Sequence, residues 1–140
     1  MPIQELNPFD EFFLYDNDSP ANAALLFRMD KFPYEKYRNF IRNVQHERLP
    51  KQKVKLMQMF GRFYWIKMSD KEFDEKFDKY VPDVQEVRTM AEMEKHCNMM
   101  VNSDFDIYNN VPWRYCIYNN VSDEYTYVLL TAHHSYTDAI

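Results

Sequence analysis

Glycine is almost missing from this 140-residue chain, with Gly61 the only one, so its turns fall to Asn and Asp, which also tolerate turn geometries. Cysteine is nearly as scarce. Cys97 and Cys116 have no CxxC spacing, which gives metal and thioredoxin-like readings little support and marks both as buried thiols. No polybasic tract is present, and a net charge of −5 argues against sequence-independent nucleic-acid binding, which needs clustered Lys and Arg to replace phosphate counterions. No apolar run approaches the ~20 residues that span a bilayer, so no transmembrane segment is expected. The start has no secretory apolar core and, with Glu5, Asp10, Glu11, Asp16 and Asp18, is too acidic for a mitochondrial presequence. These features fit an intracellular protein, cytoplasmic or organellar, able to reach membranes through partners. No internal repeat or flexible linker divides the chain, so residues 1–140 are expected to form one domain.

What is present is apolar and aromatic. With 46% hydrophobic and 17% aromatic residues the chain can bury one core. Ala23 to Met29 reads as a short apolar strand. After Pro33, the residues Tyr34, Tyr37, Phe40, Ile41 and Val44 recur at helical spacing and predict an amphipathic helix ending near Arg48. Lys51, Lys53 and Lys55 alternate with Gln52, Val54 and Leu56, a strand pattern that continues into a hairpin about Gly61-Arg62. Met90, Met93, Cys97, Met100 and Val101 give a second helix over Val87 to Val101, with its methionines as core filler. Trp113 to Tyr118 and Tyr125 to His133 read as strands joined by Asn119-Asn120-Val121-Ser122-Asp123.

The lysines at 51, 53 and 55 suit a solvated strand face that protects a sheet edge; contact with the phosphates of a CoA molecule is the alternative. Phe12, Phe13, Tyr15, Phe63, Tyr64 and Trp65 suit core packing, with a lipid-accepting tunnel as the alternative. Asp10 would cap a short helix or touch a substrate. His96 beside Cys97 lacks zinc-ligand spacing, and no metal site is expected.

The chain's most distinctive chemistry lies in His133-His134-Ser135-Tyr136-Thr137-Asp138-Ala139, where a histidine pair and an aspartate follow the final strand. A histidine ionises near working pH, and a positioned general base contributes about 10² to 10⁴ in rate. The segment resembles the HHxxxDG motif of CoA-dependent acyltransferases and condensation domains, the chloramphenicol-acetyltransferase-like superfamily. Ala139 stands where that motif has glycine, which carries a penalty if the position needs φ > 0 or close backbone approach.

Further segments resemble the N-terminal half of wax ester synthase/diacylglycerol acyltransferase proteins, in the family's order. Leu6-Asn7-Pro8-Phe9-Asp10-Glu11-Phe12-Phe13-Leu14-Tyr15 is similar to its SPLDAFFL start, and Ala23-Ala24-Leu25-Leu26-Phe27 to its first strand. Gly61-Arg62-Phe63-Tyr64-Trp65 with Phe73-Asp74 resembles its W…FD segment. Asp104-Phe105-Asp106 and Pro112-Trp113 resemble its PLD…PLW element. The resemblance implies an α+β half of a chloramphenicol-acetyltransferase-like fold, a mixed sheet with two main helices packed on it. It implies acyl transfer from acyl-CoA, a co-substrate rather than a tightly bound cofactor, to a long-chain alcohol or diacylglycerol. His134 would be the general base, His133 its support, and Asp138 the organiser of the loop through an arginine.

In that family the active site lies in a tunnel between two similar halves, and this chain stops at the histidine loop. Activity is therefore expected to need a second half, from a partner or a longer polypeptide, because positioning and oxyanion stabilisation dominate such rates. Two alternatives remain open: an accessory subunit that buries an open sheet edge against other chains, and an acyl-CoA-binding module without turnover.

Overall fold

A computed structural model describes residues 3–5, 22–47 and 53–133. In chain order these form β1 (Ile3–Glu5), β2 (Asn22–Asp30), α1 (Tyr34–Glu47), β3 (Val54–Met59), β4 (Arg62–Lys67), α2 (Asp70–Tyr80), α3 (Met90–Val101), β5 (Trp113–Tyr118) and β6 (Tyr125–His133). The class is α+β, as expected. In place of one mixed sheet, the described strands make two antiparallel three-stranded sheets, ordered β1-β4-β3 and β2-β6-β5. Connectivity explains this for the hairpin-linked pairs. The β3–β4 turn and the β5–β6 linker are too short for the crossover that parallel neighbours require.

The β3–β4 hairpin closes on the pair Met59↔Arg62, which centres its turn on Phe60-Gly61, one residue before the expected place. Both turn residues have positive φ, 54° for Phe60 and 75° for Gly61. That is the dihedral pattern of a type I′ turn, whose twist matches the strands it joins. Gly61 meets no steric neighbour, so glycine is required there by backbone conformation.

Helix α2 is not among the elements expected above, although its signature is written in the sequence. The Ser69 hydroxyl accepts the Glu72 backbone N–H at 3.2 Å, capping the N-terminus, and Phe73, Phe77 and Tyr80 recur at i, i+4 and i+7 and are all buried. Helix α3 starts at Met90, three residues later than expected, because Thr89 caps it. Thr89 Oγ1 accepts from the Glu92 N–H at 3.1 Å, the capping bond, and donates to Glu92 Oε1 at 3.0 Å.

Two buried clusters share the β2-β6-β5 sheet. The first gathers Phe73, Phe77 and Tyr80 of α2 with Leu56, Phe63, Trp65, Trp113 and Ile117. The second gathers Val84, Val87, Met93 and Met100 with Cys116, Tyr118 and Leu129. Strand β5 thus alternates between them, Trp113 and Ile117 to one side and Cys116 and Tyr118 to the other. Each fully buried large side chain of this kind contributes about 1.5–3 kcal/mol of transfer free energy.

The lysine expectation is corrected for the residues described. Lys53 is 2% exposed, paired with the Asp70 carboxylate and 5.5 Å from the Phe73 ring centre. Lys55 Nζ lies 3.0 Å from Glu72 Oε1, which Lys76 also reaches at 3.0 Å. The first turn of α2 supplies both acids, so a stripe that alternation marked as solvated joins β3 to that helix. The aromatics divide as packing predicts, with Phe63 and Trp65 buried and Tyr64 half-buried. Phe12, Phe13, Tyr15, Asp10 and Lys51 lie outside the described residues. No helix among the described residues is long and apolar enough to cross a membrane.

Candidate functional site

His133 is the last residue of β6, the central strand of its sheet. The strand is held on both sides up to that point. Asn22 pairs with His133 across β2, Ala23 and Trp113 flank Ala132, and Ala24 and Arg114 flank Thr131. The His133 backbone N–H donates to the Pro112 carbonyl at 2.9 Å, and its side chain is half-buried. The other residues of the motif, His134 and Asp138 with Ala139, lie outside the described residues. The fold therefore sets His133 at the end of a strand paired on both sides, with Ala23 and Trp113 in the register positions beside Ala132, while Leu25, Leu26, Leu129 and Leu130 lie farther along.

Segments distant in sequence converge on this strand end. Pro112 touches it through the carbonyl that binds His133. The Asp104-Phe105-Asp106 segment reaches it through Arg114: Arg114 Nη2 donates to the Asp104 carbonyl, and its guanidinium sits 4.2 Å from the Phe105 ring centre. Asp104 Oδ1 accepts the Asp106 N–H at 3.1 Å, and Asp106 has φ 48°, so this loop is tightly specified. Burial lowers the pKa of Arg114, a minor effect for a guanidinium that stays charged at any ordinary pH.

Two residues near His133 were not anticipated. Arg114 is one. Thr131 is the other, a buried residue whose Oγ1 has no hydrogen-bond partner among the described residues. A hydroxyl left so carries a penalty of about 1–3 kcal/mol. The signal for both was the antiparallel register of the last two strands, which sets them opposite one another two positions before His133.

His96, Cys97 and Cys116 form a separate cluster on the α3 side. His96 Nδ1 lies 2.6 Å from Tyr118 Oη, and Cys97 Sγ donates to the same oxygen at 3.6 Å. Burial raises the pKa of Cys97 and of Tyr118, pushes Cys116 up to about 12, and lowers that of His96. Both thiols thereby favour the protonated form; Cys116 is buried as expected, whereas Cys97 is only half-buried. Among the described residues no three His, Cys, Asp or Glu side chains converge to hold a metal ion.

No protein-family model matches the sequence, and no curated protein does. Solved structures do match. The wax ester synthase/diacylglycerol acyltransferase from Marinobacter aquaeolei VT8 superposes with a TM-score of 0.66 at 17% identity, over 96% of this chain and 35% of that one. The starter condensation domain of rhizomide synthetase superposes with a TM-score of 0.69 at 11% identity, over 96% of this chain and 33% of that one. A variant of that condensation domain in complex with C8-CoA gives a TM-score of 0.69 at 11% identity, covering 96% and 31%. The chain thus spans about a third of the length of these structures. At such identities the likeness is one of fold, and the fold is half of a chloramphenicol-acetyltransferase-like acyltransferase or condensation fold.

Proposed function

We propose that the chain, as a single half-domain over residues 1–140, supplies the histidine half of an acyl-transfer site that moves an acyl group from acyl-CoA to the hydroxyl of a long-chain alcohol or diacylglycerol. His134 takes the hydroxyl proton as the oxygen attacks the thioester carbonyl; the tetrahedral intermediate collapses to ester, and CoA leaves as the thiol once it is protonated. His133 supports the base, and Asp138 organises the loop. What supports the reading is the position of His133, at the end of a strand paired on both sides, within a half-fold shared by solved acyltransferase and condensation structures. That a related condensation domain was solved with C8-CoA supports an acyl-CoA donor.

One observation fits the accessory-subunit reading as well as a missing second half-domain. Along β2, Leu25 and Leu26 are 58% and 46% exposed on a nine-residue strand whose outer edge has no strand partner among the described residues. Such an edge is covered in a stable protein, by a second half-domain or another chain. Native mass spectrometry of the protein with whatever travels with it separates the two. A co-purifying chain that carries the second half of the fold, with acyl-CoA turnover in the complex, is the expected result. Recovery as a stoichiometric component of a large assembly without such a chain and without turnover would contradict acyl transfer.

A further inference from the structure

Along the outer edge of β2 the side chains follow a self-complementary order. The Lys31 N–H donates to the Glu124 carbonyl at 3.2 Å, in the register that pairs Asp30 with Tyr125, so the odd-numbered residues of β2 exchange backbone hydrogen bonds with β6. The N–H and C=O groups of Ala24, Leu26, Arg28 and Asp30 therefore point away from β6, and no strand takes them among the described residues. Leu26, Arg28 and Asp30 share one face of the strand, and Phe32 follows at the same spacing. All four are exposed, Leu26 at 46% and Phe32 at 48%. Read along the chain they are apolar, cationic, anionic and apolar. The neighbouring strand does not answer the charges: Arg28 stands opposite Tyr127, its guanidinium 4.2 Å from the Tyr125 ring centre, and Asp30 stands opposite Tyr125. Neither Arg28 nor Asp30 has an ion-pair partner among the described residues.

We propose that β2 is the interface of a two-fold dimer, in which two copies of this chain pair β2 against β2, antiparallel and centred on Met29. About that centre Arg28 faces Asp30 of the second copy and Asp30 faces its Arg28, while Leu26 and Phe32 meet at either end. An order of apolar, cation, anion, apolar is its own complement when reversed, which is what an isologous interface requires and an unrelated partner does not. The charges also set the register. Pairing centred on Leu26 would place Ala24 opposite Arg28 and leave both charges unmatched. Pairing centred on Met29 brings the outward backbone groups of Arg28 and Asp30 into mutual hydrogen-bonding positions as well, so the two sheets join through their main chains. The dimer is independent of the histidine motif.

Sedimentation equilibrium of the purified full chain is the test, with the wild-type protein expected as a concentration-dependent dimer. Arg28→Asp alone and Asp30→Arg alone each set like charges opposite one another at both symmetry-related places, and each should raise the dissociation constant at least about tenfold. Mixing the two variants should restore a dimer, now a heterodimer, because every pair of positions 28 and 30 is again opposite in sign; native mass spectrometry identifies it by mass. A wild-type chain that stays monomeric at every concentration overturns the proposal, as does a dimer that both single variants preserve. Two folded variants that fail to associate on mixing overturn it too. Hydrogen exchange of the wild-type chain needs no variant: the Arg28 and Asp30 amides should gain protection as concentration rises through the dissociation constant, and protection that does not change contradicts a β2 interface.

Discussion

Ionisable groups buried in the two clusters tie stability to pH. Burial pushes Cys116 from an ordinary thiol value of 9.0 up to about 12, and Tyr80 from 10.0 up to about 12. A raised folded-state pKa means that the stability depending on the protonated form is complete below the unfolded pKa and is lost as pH rises toward the folded one. The thermal midpoint should therefore hold steady to about pH 9 and fall progressively above it; a midpoint unchanged to about pH 11 would contradict the burial of these groups. Glu72 works in the opposite direction. Its partial burial alone would raise the carboxyl pKa, but hydrogen bonds from Lys55 and Lys76 outweigh that and hold it below the usual range. Its contribution is present at neutral pH and is lost on acidification below the ordinary carboxylate range.

The individual elements owe their boundaries to short polar signals. Ser69 caps α2 and Thr89 caps α3, each accepting a backbone N–H of the first turn. Ser69→Ala and Thr89→Ala should each destabilise the protein by ~1 kcal/mol, with the larger loss at Thr89, whose hydroxyl also donates to Glu92. Chemical denaturation checks this, and unchanged midpoints would show that packing alone sets these helix ends. The same signals explain how much was legible beforehand. Strands β5 and β6 could be read to the residue, because aromatic and β-branched runs there end in an Asn- and Asp-rich turn. Helix α2 escaped because its charged residues dilute the Phe73, Phe77 and Tyr80 period, although the Ser69 and Glu72 pair announced it. Lys53 misled for a different reason. Alternation along β3 identifies the two faces of the strand, but only the tertiary fold reveals that the α2 N-terminus sets Asp70 and Glu72 against those lysines.

For the whole molecule, the pairing of the sheets matters more than any single contact. Strand β6 runs between β2 and β5 and ends at His133, while the Asp104 loop and Pro112 are fastened to the same end through Arg114 and a backbone hydrogen bond. In the sequence these segments are separate motifs. Antiparallel register makes them one neighbourhood, which is why Arg114 and Thr131 emerged only with the strands in place. Strand β2 has no strand partner on its outer edge among the described residues. The central claim is that the histidine pair leaving β6 performs acyl transfer, and the most direct measurement is release of free CoA thiol from a long-chain acyl-CoA, with a long-chain alcohol as acceptor, by the natively assembled protein carrying either the wild-type chain or His134→Ala. Loss of at least about 10²-fold in turnover, with the thermal midpoint and the assembly unchanged, is the predicted result. Turnover that survives the substitution would contradict the account.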